Sequence, residues 1–178
     1  TQIDSAIKNG PNVRVLYHTK GKILTEMAIF QKSHEIGRKY LMQAEDCFNR
    51  GINLNKKDSY GFESLASLYF EWSKKVESKD SDEAFDYLTK AEEIISKGLQ
   101  TVRNRESLWI LSSKMESYFG RTPESIIKLE NAIKERPSAI IARYVLAKTY
   151  RTQNRQEEAI EILKPIIQAN TEEFRAVI

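Results

Sequence analysis

Two histidines and one cysteine are the residues whose side chains most readily do chemistry, and their spacing decides what they can do. His18 and His34 lie sixteen positions apart, and Cys47 follows thirteen later. A zinc site draws its ligands from tight sets such as H-E-x-x-H or paired C-x-x-C, and neither occurs. His18-Thr19-Lys20-Gly21 carries one glycine on a predicted helix, and a phosphate-cradling loop needs several free backbone N–H groups. Gly120-Arg121-Thr122-Pro123 reads as a turn by the same test. There is no G-x-S-x-G elbow and no Ser/His/Asp set that the order of residues could assemble. Carboxylates abound, but Glu on amphipathic helices is usually solvated. The expectation is therefore a protein that is not an enzyme and holds no metal and no cofactor.

The elements that would carry binding residues come next. The 178 residues suffice for one ordinary domain or a short repeat array. Hydrophobic residues at 40% allow a continuous core, and charged residues at 30% argue for a solvated surface rather than disorder. Seven glycines and four prolines are few for an all-β chain, which needs frequent turns. No apolar run approaches the ~18 residues of a membrane span, and no charged-then-apolar signal segment opens the sequence. The lone Cys47 permits no internal disulfide, which fits a cytoplasmic setting. With 28 basic against 25 acidic residues, the net charge of +3 lacks the excess of a nucleic-acid footprint.

Self-similarity organises the chain. The clearest copy is Leu146-Ala147-x-x-Tyr150, then Asn154 and Glu158-Ala159-x-x-x-Leu163. A second reads Phe62-x-x-Leu65-Ala66-x-x-Tyr69, then Asp82-Glu83-Ala84-x-x-x-Leu88-x-x-Ala91. Trp109, Gly120, Leu129, Ala132 and Pro137 mark a third, in which Ser112, Ser113 and Glu116 depart from the pattern. Tyr17, Gly21, Leu24, Ala44, Phe48 and Gly51 mark a fourth, with Lys20 where an apolar residue is expected. The pattern resembles the tetratricopeptide repeat (TPR), W-x2-L-G-x2-Y…A-x3-F…P with a period of about 34 residues.

Spacing supports the resemblance. Ala6 to Tyr17, Gly51 to Phe62 and Ala132 to Arg143 are all steps of eleven residues, and Ala91 to Trp109 is seven longer. The implied fold is all-α, an α-α superhelix of antiparallel helix pairs. About four repeats fall at roughly 13–57, 58–101, 104–138 and 139–171, with partial remnants at 1–12 and 172–178. Tyr150 to Ala159 is nine residues, but Tyr69 to Ala84 is fifteen and Leu24 to Ala44 is twenty. The extra stretches, Thr25 to Phe30 and the Phe70–Trp72 neighbourhood, keep helical character, so the first two hairpins should be longer by a turn or more per helix. One such hairpin cannot bury both apolar faces alone, so neighbours must stack.

Helix starts are expected at the boxes Asp80-x-x-Glu83 and Asn154-x-x-Glu157, and at Thr122 as N-cap before Pro123. Pro165 should kink the last clear helix. Thr171-Glu172-Glu173 reads as a cap opening another helix, so the array is expected to be a fragment continuing in a longer protein, with end faces able to self-associate. Trp72, Trp109, Tyr118, Phe119 and Tyr150 read as core by their helical spacing.

The resemblance also implies where a partner sits. First helices of TPR arrays line a concave face, and the residue after the small Gly/Ala/Ser site points inward. Here that residue is Lys22, Ser67, Lys114 and Lys148, and His18, Glu63, Phe70, Tyr144 and Arg151 should face the same way. The reading is a protein-protein interaction scaffold or sensor segment whose groove takes a peptide or protein segment of acidic character. The plainer alternative is ordinary solvated lysines. His18 and Ser64 stand where chaperone-tail binders of this family carry Lys and Asn, which argues against that partner. The string Tyr17-His18-Thr19-Lys20-Gly21 also resembles the repeat tails of signalling NTPases of the STAND type, over one repeat only, which would make the segment a regulatory tail. A nucleic-acid-binding helical repeat is the rival from another class.

Overall fold

The computed structural model describes the backbone of residues 1–176 and the side chains of residues 1–169. Among the described residues there are helices and no strands. In order they are α1 (Gln2–Asn9), α2 (Arg14–Phe30), α3 (His34–Leu54), α4 (Ser59–Val76), α5 (Ser81–Thr101), α6 (Glu106–Tyr118), α7 (Thr122–Glu135), α8 (Ile140–Thr152) and α9 (Gln156–Ala176). Helices α2 to α5 run 17, 21, 18 and 21 residues, against 13 or 14 for α6, α7 and α8. The first two hairpins are thus elongated, and α9 at 21 residues is long as well. The chain divides into two compact units, Thr1–Leu108 and Trp109–Ile178.

In the first unit α2 packs on α3, α4 on α5, and α2 and α3 both on α4. Small residues set the approach. A Cβ on Gly21 would stand 2.5 Å from the Phe48 ring, and one on Gly98 2.7 Å from Leu108. Around them Trp72, Phe48, Phe62, Phe70, Leu41, Leu65 and Leu68 are almost wholly buried, each contributing about 1.5–3 kcal/mol. The basic Lys20, at an apolar place of the pattern, is half-buried and bonds Asp4 of α1 at 2.6 Å. That bond holds the Asp4 carboxyl well below the usual range. A salt bridge from Arg14 to Asp58 pins the start of α2 to the residue that caps α4.

In the second unit the core uses smaller pieces. Ile126, Leu129, Leu146 and Tyr150 form one cluster, and Ala132, Ala139 and Ala142 another against Trp109, Ile110 and Ile133. Ser113 and Ser125 stand where the other repeats pair Gly or Ala with Ala. Both are buried, and their hydroxyls bond at 2.8 Å. Ser117 bonds Ser125 at the same distance. Polar contact thus replaces methyl contact, which is how this repeat accommodates its departure from the pattern.

Helix ends refine the expectations. Asp80 caps α5 by accepting from the Glu83 N–H at 2.9 Å. The Glu83 side chain does not close the box. It accepts from Trp72 Nε1 at 3.2 Å and meets His34 Nε2 at 2.8 Å. Asn154 is no N-cap. It takes φ 58°, with its N–H on the Arg151 carbonyl and the Arg155 N–H on the Tyr150 carbonyl. These two bonds close α8 from behind, a role Asn shares with Gly because both tolerate left-handed backbone. Gly120, at φ 72°, ends α6 in the same way. Thr122 lies inside α7, whose N-cap is Arg121.

Helix α9 runs through both Pro165 and Thr171, so Thr171 opens no new helix. The remainder of that expected remnant, residues 177–178, lies outside the described ones. Proline at 165 supplies no N–H to the Glu161 carbonyl; the next carbonyl, Ile162, accepts at 3.3 Å from Arg143, whose other nitrogens hold the Pro137 carbonyl. Trp72 and Tyr150 are core, Trp109 is half-buried, but Tyr118 and Phe119 are exposed. They fall at the end of α6, where no helix covers them, and pack edge to face on each other with Arg121 over Phe119.

Candidate functional site

The expected groove residues divide between the two units, and each set is best built from its own helices. In the first unit the positions come from α2 and α4. Lys22 follows Gly21, so its stem leaves the side of α2 that faces α4, and its ammonium stands 4.7 Å from the centre of the Tyr60 ring. Glu63 and Ser67, one turn apart on α4, are half-buried. This face therefore mixes one cation with one carboxylate.

Two residues expected there are elsewhere. His18 is 3% exposed and Phe70 1%, so neither can touch a partner. Their positions turn into the stack because α2 packs on α1, α3 and α4, and α4 on α2, α3 and α5. The His18 ring sits against Gly51 and Gly61, where a Cβ would come within 2.7 and 3.2 Å of it, and meets Tyr60 edge-on at 4.9 Å. Neither ring nitrogen has a hydrogen-bond partner. Burial pushes the His18 pKa below 6.5; Asp58 opposes this, and Arg14 and Lys22 add to it.

In the second unit α6 and α8 enclose a hollow of about 470 Å³. Lys114 and Lys148, each one residue after its repeat's small site, both line it, and both are exposed. The walls between them carry hydroxyls: Ser113 and Ser117 from α6, Thr122 from α7, Thr149 and Thr152 from α8. No carboxylate is among the lining residues. The threonines are anchored, Thr149 donating to the Val145 carbonyl at 3.0 Å and Thr152 to the Thr149 carbonyl at 2.7 Å. Their oxygens keep lone pairs for an incoming donor.

Tyr144, Lys148 and Arg151 recur at intervals of four and three along α8 and line a second hollow, between α8 and α9. Lys148 thus belongs to both. The hydroxyl set is what pattern reading misses. In the pattern Ser113 is only a departure, and Thr149 and Thr152 carry no signal until α8 is seen to face α6.

Among the described residues no group of three or more His, Cys, Asp or Glu is placed to hold a metal ion, and no helix is long and apolar enough to cross a membrane. Cys47 is buried, and burial pushes its thiol pKa up.

No family model and no curated protein matches the sequence. Solved structures do. A thermophilic TPR protein of Thermus thermophilus, TTC0263, superposes with a TM-score of 0.64 at 13% identity, over 93% of this chain and 78% of that one. MamA superposes with a TM-score of 0.51 at 14% identity, over 97% of this chain and 87% of the other. At such identities what is shared is the backbone plan of paired helices, and the chain accordingly has the tetratricopeptide-repeat fold.

Proposed function

We propose that the chain is a protein-interaction module, without catalytic activity of its own, that receives an acidic segment of a partner in the hollow between α6 and α8. The observation that supports this most is the pairing of Lys114 and Lys148 in one concavity with five hydroxyls and no lining carboxylate. A concave surface of one sign focuses the field and favours encounter with the opposite charge. The threonine oxygens, whose lone pairs remain open, suit the N–H groups of an extended segment, which lose water on docking and need acceptors. Ile110 and Val145 add apolar contact at the same wall. The face of α2 and α4 is the lesser candidate, because Glu63 offsets Lys22.

The test uses a fluorescein-labelled octapeptide of alternating aspartate and glutamate. Anisotropy at low salt is expected to show saturable binding that weakens as ionic strength rises past the point where the screening length falls to about 8 Å. The double variant Lys114→Glu, Lys148→Glu is expected to lower affinity about tenfold or more, since reversal replaces two attractions by two repulsions. Equal affinity of the variant and the parent at low salt would remove the proposal.

A further inference from the structure

On the other flank of α8 lies the second hollow, of about 320 Å³, between α8 and α9. Its floor is made by Ala147, which is buried, with Ala159 and Leu163, which are half-buried. The depth has a simple origin. Methyl groups at 147 and 159 leave open the space that a longer side chain at either position would fill. Tyr144 and Ile160, 64% and 59% exposed, flank the opening as apolar surface without cover. Lys148 and Arg151 supply two cations, Gln156 brings the first turn of α9 to the edge, and no carboxylate is among the lining residues. The acids of that first turn are on other sides of the helix, and Glu158 is held by Arg155.

We propose that this hollow takes one large apolar side chain of the acidic partner segment, with carboxylates on either side of that side chain seated on Lys148 and Arg151. The inference rests on the reading of the α6/α8 hollow and adds what the partner must carry besides charge. Lys148 links the two, since it lines both hollows. An extended segment advances about 3.3 Å per residue and sends alternate side chains to opposite sides. A carboxylate on Lys148 therefore leaves the residue two positions along, on the same side of the segment, within reach of the α8/α9 opening. Size admits a single large side chain. Pockets for whole small molecules run from about 300 to 1,000 Å³, and this one lies at the bottom of that range. Charge sets its neighbours, because the two exposed cations at the opening attract carboxylates and no lining carboxylate offsets them. The combination excludes a purely acidic tail as the best ligand. It also excludes a purely apolar helix.

The test uses two octapeptides, alternating aspartate and glutamate around a central leucine or a central alanine, titrated into the whole chain with amide shifts and anisotropy as readouts. Each buried methylene is worth about fourfold in affinity, and leucine carries three carbons more than alanine, so with about half of them buried in the open hollow the leucine peptide is expected to bind about tenfold more tightly. Its titration, and not that of the alanine peptide, should move the amides of Ala147, Ala159 and Ile160. Ala159→Leu fills the hollow and is expected to bring the leucine peptide down to the affinity of the alanine peptide, which itself stays unchanged. If that variant does not fold, Ile160→Ser, at an exposed position, is expected to cut the leucine preference to about threefold or less. Equal affinity of the two peptides for the parent chain overturns the anchor. If Lys114→Glu with Lys148→Glu still weakens both, the reading of the α6/α8 hollow survives it. Absence of binding by either peptide overturns both.

Discussion

Between Gly51 and Gly61 the imidazole of His18 finds ring and backbone on every side and no partner for either nitrogen. The groups whose charge reaches it are Asp58, Arg14 and Lys22; burial, reinforced by the two cations, outweighs Asp58. The folded pKa therefore lies below the unfolded value of 6.5. Between those two values the unfolded chain binds more protons, so stability rises with pH across that window. The contribution is complete above 6.5 and is lost as the pH falls below it, at up to about 1.4 kcal/mol per pH unit for a single proton. Urea unfolding at pH 7.5 and at pH 5 should show this loss, and His18→Phe should show less of it than the parent. A pH slope identical in both proteins would place the effect elsewhere. Nothing in the order of residues announces this site. His18 sits one turn before Gly21 on a helix whose inner and outer faces cannot be told apart until its extra length is packed. The repeat pattern alone therefore points it into a groove.

Elements are held at their ends as much as along their faces. The last turn of α2 presents carbonyls with no N–H beyond them, and Lys75 of α4 donates to two of them, Ala28 and, at 2.7 Å, Gln31. The same ammonium stands 4.9 Å from the centre of the Trp72 ring. Burial and the nearby Lys79 pull its pKa down. Lys75→Met keeps the stem over Trp72 and removes the donors, so it should destabilise by about 1.5–3 kcal/mol, the worth of hydrogen bonds to a charged group. Hydrogen exchange should quicken most in the last turn of α2. Unchanged exchange there would sink the assignment.

Legibility varies element by element. Asp80 is readable because an acid three residues before Glu83 has one common use. Asn154 is not, since Asn serves both at the start of one helix and at the end of another, and only the backbone angle decides. Thr171 misleads for a related reason. A cap residue inside a continuous helix looks the same in sequence as one at its start.

At the scale of the molecule, the two units differ in what fills them. The first holds Trp72, Phe48, Phe62 and Phe70 at 2% exposure or less. The second builds much of its core from Ala132, Ala139, Ala142 and Ala147, whose burial contributes far less per residue. Solenoid stability is a sum of local terms, so regions can open separately. Amides of α4 should be the slowest to exchange in the native state, and those of α8 and α9 much faster. Uniform protection would contradict this. The repeat pattern foretells long first hairpins because residue counts between small sites are visible in sequence. It cannot foretell the hydroxyl wall between α6 and α8, since Thr149 and Thr152 gain their meaning only from a helix remote in sequence.

The serine contact between α6 and α7 constrains how this repeat could ever return to alanine. Ser125 bonds both Ser113 and Ser117, while Ser113, 2% exposed, bonds Ser125. Replacing Ser113 first leaves Ser125 still joined to Ser117, and the second replacement then removes a hydroxyl whose remaining partner is open to water. Replacing Ser125 first abandons the Ser113 hydroxyl in a dry place, at about 1–3 kcal/mol. The two orders share a start and a finish but not a midpoint, so drift along this pair of sites runs far more easily one way round than the other.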